Sequence, residues 1–301
     1  MANEKNIWKV WARFFANRSN RALPALKVDQ DYSTLPASLS ESLAIFQLGE
    51  SGGGSIVKQA LHSKLSASDE YYAAAMALFV EEEHRHANIL AMCVRLLGGK
   101  LIRDNWTARL FVFGRRLIGL RLKVVVLLVA EVVGICYYHL LAVELPEGRL
   151  KKQLLEIVED ERSHLYFHCD FLRSQTRKIW QKRVFVLVWR LVTVAAALVV
   201  AIDHRKAIRD LNIGLKRVLL RWRSYSKLAE VLVVAERTGS RRICSDIASV
   251  KAQSKMTLQS FRSRELALLT YDESNATQSI GLYEPGSDAT VVRRYSAPRA
   301  S

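Results

Sequence analysis

Apolar positions recur along most of this chain at spacings of three and four, the period of an α-helix, and four long helical patterns are legible between residues 39 and 175. The first runs from about Leu39 to Leu65. The second starts after the capping pair Ser68-Asp69 and ends at Gly98-Gly99, a helix stop signal. The third spans roughly Trp106 to Leu145, with Gly114 and Gly119 as break points, and Pro146 closes it because proline cannot continue a helix. The fourth runs from about Gly148 to Gln175. Short connections between long helices predict antiparallel neighbours, hence an all-α fold built on a four-helix bundle over residues 39–175.

The flanks read differently. Residues 1–38 are an amphipathic helix followed by a loop, with Ile7, Trp8, Trp11, Phe14 and Phe15 set beside Lys5, Lys9, Arg13 and Arg18. Such a helix either lies on a membrane surface or docks on its own domain, and it lacks the uninterrupted apolar core of a signal peptide. After the bundle, residues 176–237 are an apolar and then basic helical segment. Its apolar run, Val184 to Ile202, is long enough to span a bilayer, yet Arg190 near the middle argues against a clean span. A helix packed on the bundle or embedded in the membrane surface is expected instead. Residues 238–301 lose the pattern and are expected to form a flexible tail.

Charge changes the picture only once it is located. The chain of 301 residues carries a net charge of +16, but residues 1–172 hold 21 Lys/Arg against 19 Asp/Glu. Residues 173–265 hold 21 against 6, so the basic character belongs to the C-terminal segment. That segment suits an anionic membrane surface. Trp222 and Tyr225 among its cations do not amount to a nucleic-acid motif, and a solvated basic helix face is the better account. The 4 cysteines stand far apart, which excludes a disulfide scaffold, a zinc finger and a rubredoxin-type centre and favours a reducing, cytoplasmic compartment, with peripheral membrane contact open.

Candidate chemistry sits inside the apolar stripes. In the second helix Tyr72, Met76, Phe79, Glu83, His86, Leu90, Val94 and Leu97 form one seam; in the fourth, Leu150, Leu154, Ile157, Glu161, His164, His168 and Phe171 form another. Each seam carries a Glu-x-x-His unit, and at i and i+3 those side chains can bind one ion. Glu81-x-x-His84 points off the seam and is a coincidence of spacing. The first and third helices each add one glutamate in apolar surroundings, Glu50 and Glu131, each followed three residues later by glycine, Gly53 and Gly134. The chain therefore reads as two similar helix pairs, each giving Glu plus Glu-x-x-His. Four core carboxylates without a nearby lysine are not tolerated as bare anions, whereas two divalent cations neutralise them. Carboxylate oxygens with one imidazole per ion suit iron, or manganese.

These residues resemble the ferritin-like di-iron carboxylate superfamily, over just under half the chain. Glu82-Glu83-x-x-His86 and Asp160-Glu161-x-x-His164 look more like its oxidase and oxygenase branch than like iron-storage ferritins. The resemblance implies that Glu50, Glu83, His86, Glu131, Glu161 and His164 are ligands to two iron ions, with Glu83 and Glu161 bridging. Glu82 and Asp160 would hold the imidazoles in place. Tyr72 and Tyr138, on the seams, can bond to the site or carry a radical, although core packing is their commoner role. His168 reads as a core residue, and Asp203-His204 as a helix-end pair. Gly52-Gly53-Gly54 beside Glu50 marks space over the site, a bulge, or close helix packing.

The activity expected from this reading is oxidation or hydroxylation of a small organic substrate by dioxygen, with electrons from a separate donor. The apolar stretch around Glu131 favours a lipid-like or aromatic substrate. The alternative is a ferroxidase or peroxide-consuming iron protein with no organic substrate.

Overall fold

The computed structural model describes residues 2–24, 31–52, 55–63, 65, 70–107, 109 and 119–234, all helical or connecting, with no strand among them. Four helices carry the bundle: α2 (Ala37–Glu50), α4 (Glu70–Leu96), α5 (Leu120–Glu144) and α6 (Arg149–Gln175). Around them lie α1 (Ala2–Ser19), α3 (Ser55–Leu61), α7 (Ile179–Asp203), α8 (Arg205–Asp210) and α9 (Leu215–Val234). α2 packs along α4 and α5 along α6, giving two helix pairs that face each other.

The seam of α6 is buried at each of its positions from Leu150 to Phe171, and that of α4 is buried from Tyr72 to Phe79 and from His86 to Val94 apart from its polar side. α5 is buried almost all round, as a helix without a polar face must be. α4 stops where Gly98 takes φ +70°, a conformation glycine adopts without strain, and Gly99 N–H then bonds back to Val94 O at 2.9 Å. A Cβ on Gly99 would fall 2.6 Å from the Ser40 Cβ, so the glycine pair also lets α2 close against the end of α4.

One of the expected helices is broken, and another can be followed only in part. The first helix is two, α2 and α3, because the chain turns at Ser51 and Gly52; the Ser51 hydroxyl bonds back to Leu48 O at 2.7 Å, and glycine gives little support to continuing. Gly53 and Gly54 lie outside the described residues. In the third segment Trp106, Thr107 and Arg109 are helical, and the long helix α5 begins at Leu120 directly after Gly119, one of the expected break points. Gly114, the Ser68-Asp69 cap and the tail 238–301 also lie outside the described residues.

The N-terminal helix docks on its own domain. Trp8, Trp11 and Phe15 are no more than 2 % exposed. They join Tyr72, Phe79, Phe167 and Phe171 in one aromatic cluster, with Tyr72 stacked on Phe171 at 4.7 Å between centroids. The Trp11 indole N–H donates to Asp170 at 3.0 Å.

Asp203-His204 is more than a helix-end pair. His204 is buried, its Nδ1 lies 2.8 Å from the Ser42 hydroxyl, and its ring stacks on Phe46 at 4.6 Å. Burial pulls this imidazole down to about 4 from its ordinary 6.5. A depressed histidine stabilises the fold above its unfolded value and loses that contribution as pH falls. His204 alone should therefore destabilise the protein by about 3 kcal/mol between pH 6.5 and 4. Urea midpoints at the two pH values should show this drop shrinking by that amount in His204→Phe; an unchanged drop refutes it.

Candidate metal centre

Glu83 and His86 are presented by α4, Glu161 and His164 by α6, each pair one turn apart on the seam that faces the other helix. One ligand atom from each of the four lies within 4.8 Å of all the others, and all but Glu83 are fully buried. From α5, the Glu131 carboxylate reaches the same group, 3.6 Å from His164 Nδ1. From the end of α2, half-buried Glu50 approaches Glu83 and accepts the Tyr138 phenol hydrogen at 2.8 Å. The six residues from four helices are thus gathered in one place.

The two imidazoles are oriented alike. Their Nδ1 atoms turn inward: His164 Nδ1 is 2.9 Å from Glu83 and 3.1 Å from Glu161, and His86 Nδ1 is 3.1 Å from Glu161. Their Nε2 atoms turn outward to carboxylates, His164 to Glu82 at 3.0 Å and His86 to Asp160 at 3.2 Å. The bracing is crossed. The acid beside the α4 unit holds the α6 histidine, and the acid beside the α6 unit holds the α4 histidine. An outward Nε2–H bonded to a carboxylate fixes the tautomer that leaves Nδ1 free to accept a cation.

A third layer sits behind those acids. Arg18 and Arg21, from the end of α1 and just past it, both pair with Glu82 and Asp160; the Arg18 Nε–Glu82 contact is 2.9 Å and the Arg21–Asp160 contact 2.7 Å. Arg85 adds a longer contact to Asp160 at 3.7 Å. Burial works against a charge on Glu82, but His164 and these arginines hold its carboxyl well below the usual range. The outer pair of acids is therefore balanced by the protein itself.

The inner four are not. Their close acidic and imidazole neighbours among the described residues are one another and the histidines, with no lysine or arginine paired to them. Burial, followed by the negative charges around them, pushes Glu50 and Glu131 well above the usual carboxylate range. Burial opposes ionisation of Glu161 too, but its close contacts with Glu131, His164 and His86 hold it well below that range. Burial pulls the His164 imidazole down, but its four carboxylate partners push it well above its ordinary value. Glu83 Oε1, Glu161 Oε1 and His86 Nδ1 are buried without a properly formed hydrogen bond. Inward ligand atoms left over, beside carboxyls that repel one another, form a group that could hold a cation.

One glycine and two tyrosines lie on the same seams. A Cβ on Gly134 would meet the Tyr138 ring at 3.3 Å and Glu161 at 3.5 Å, so glycine there lets α5 close on the cluster. Tyr138 touches the cluster, as its bond to Glu50 shows. Tyr72 stacks with Phe167 and Phe171 in the aromatic cluster, its α4 position lying about four turns from His86. Exposed Glu81 and His84 stay off the seam.

Arg18, Arg21 and the Glu131–His168 contact at 3.3 Å are the parts sequence reasoning missed. Burial drives the His168 imidazole down to about 3, which leaves it neutral beside Glu131. The one signal for Arg18 was its place on the polar side of an amphipathic helix.

Comparison of the chain with protein families, with curated proteins and with solved structures gave no match.

Proposed function

We propose that this chain is a di-iron oxidoreductase of the ferritin-like carboxylate type, using dioxygen to oxidise or hydroxylate an organic substrate. The observation that carries the reading is the pair of inward Nδ1 atoms within a cluster of four glutamates, each imidazole braced from behind by a carboxylate. Glu83 and Glu161, from the facing helices, would be the central carboxylates holding the ions. Glu50 with His86 and Glu131 with His164 would complete the two ends. Manganese fits the same donors.

When bound, iron supplies the redox chemistry that protein side chains lack. The chain's own part is to orient, to neutralise and to exclude water. Glu82 and Asp160 keep Nε2 protonated and Nδ1 available. Phe15 and Phe79 lie against the His164 ring at 5.8 and 4.8 Å and keep that side dry. Glu50, half-exposed beside Tyr138, is the carboxylate through which a proton can reach the cluster from outside. The apolar wall of α5 around Glu131 suits a lipid-like or aromatic substrate.

Anaerobic titration with Fe(II), read by metal content, is expected to give about two iron per chain and to release protons, since Glu50, Glu131 and His164 must lose theirs on binding. Fewer than about one iron per chain, with the six residues intact, overturns the proposal. Rapid consumption of many Fe(II) per chain in air, with no organic co-substrate, replaces it with ferroxidase action.

A further inference from the structure

The apolar helix α7 has two very different faces. Phe185, Trp189 and Thr193 are buried, and α7 packs on α5 and α9. Two polar bonds fix that orientation: the Trp189 indole N–H donates to Ser226 O at 3.0 Å, and Arg190 clasps Glu230 of α9 through two contacts of 2.9 and 3.0 Å. The opposite face is held outward as a consequence. It presents Val184, Leu187, Leu191, Val194, Leu198 and Ile202, which are between 52 and 64 % exposed. Their steps of three and four make one continuous stripe of about 27 Å with no charge inside it. Arg183 and Arg190, seven residues apart, line one edge.

Cations flank both ends. Arg177, Lys178 and Arg183 are exposed at the start, and Arg205, Lys206 and Arg209 directly after the end. Residues 173–234 hold 14 Lys/Arg against 3 Asp/Glu. A second copy of the chain on this stripe would bring two such cationic flanks together. A surface of anionic headgroups over an acyl layer matches both the stripe and its rim. Arg190 no longer argues against membrane contact, because it lies at the edge of the stripe and is neutralised by Glu230.

We propose that the outward face of α7 is a bilayer-docking surface, on which the helix lies flat in a leaflet containing anionic lipid while its inner face stays against the bundle. The proposal does not depend on the metal reading. It also moves the membrane contact from the N-terminal helix, whose aromatic face is taken up inside, to α7.

The test is flotation of the full-length chain with phosphatidylcholine vesicles, with or without about 30 % phosphatidylglycerol. The wild type is expected to float with the anionic vesicles and to detach substantially in about 0.5 M salt. Leu187→Gln/Leu191→Gln/Leu198→Gln changes only exposed positions, so its helix content and melting should match the wild type. Its bound-to-free ratio should fall by at least about tenfold, the direction expected when apolar contact area is lost. A wild type that stays with the aqueous fraction, or a triple variant that floats as well, overturns the proposal. So does a wild-type dimer that the triple variant dissolves, which would assign the stripe to a second copy of the chain.

Discussion

A chain carrying Glu50→Gln and Glu131→Gln is expected to melt at a higher temperature than the wild type when both are free of metal. It is also expected to lose most of the stabilisation that Fe(II) gives the wild type. Replacing buried Glu131 and half-buried Glu50, which repel their carboxylate neighbours, by neutral amides of similar shape should raise metal-free stability by about 1 kcal/mol or more. The sign follows from the protons. Both carboxyls sit above their ordinary 4.5, so their favourable contribution is complete below that value and fades as pH rises. The gap between variant and wild type should therefore widen from pH 5 to pH 8. The wild type, in turn, should gain about 2.7 kcal/mol from Fe(II) at a hundredfold excess over its dissociation constant. Calorimetry at several pH values, with and without Fe(II), measures all of this. A metal-free variant that is less stable than the wild type at pH 8 would mean that protein contacts, not cations, are what the glutamates serve.

The second large effect concerns the N-terminal helix. Trp11→Ala removes a side chain 1 % exposed and its bond to Asp170. Truncating a buried indole costs about 3–5 kcal/mol, or roughly 6–20 °C of melting temperature in a domain of this size. The loss should extend to the metal centre, because Trp11 anchors the helix that carries Arg18. Without it Glu82 and Asp160 are buried anions lacking part of their counter-charge, and their hold on the two imidazoles loosens. Iron should then dissociate faster from Trp11→Ala than from Trp11→Phe, which retains most of the packing. A melting shift under about 2 °C would show that α1 is only loosely attached.

The ligand seams were legible because a helix repeats its face, so Glu83, His86, Glu161 and His164 could be placed inward from spacing alone. Glu50 and Glu131 were legible because a lone acid in an apolar run has to be accounted for. What lies behind the ligands was only half readable. Glu82 and Asp160 stood next to the ligands in sequence, but the crossing of their bonds depends on how α4 and α6 face each other. Arg18 and Arg21 were out of reach, since nothing local says that a helix 64 residues before Glu82 and 142 before Asp160 will dock there. The break between α2 and α3 was missed for a different reason. Apolar spacing continues across the glycines, whereas backbone preference ends the helix.

The crossed bracing of the imidazoles reaches beyond geometry. The outward nitrogen of each histidine is held from the opposite half of the bundle: the α4 ring by an acid of α6, and the α6 ring by an acid of α4. Both helix pairs must therefore be docked before either ring is fully oriented, so the ligand group is assembled only in the complete bundle.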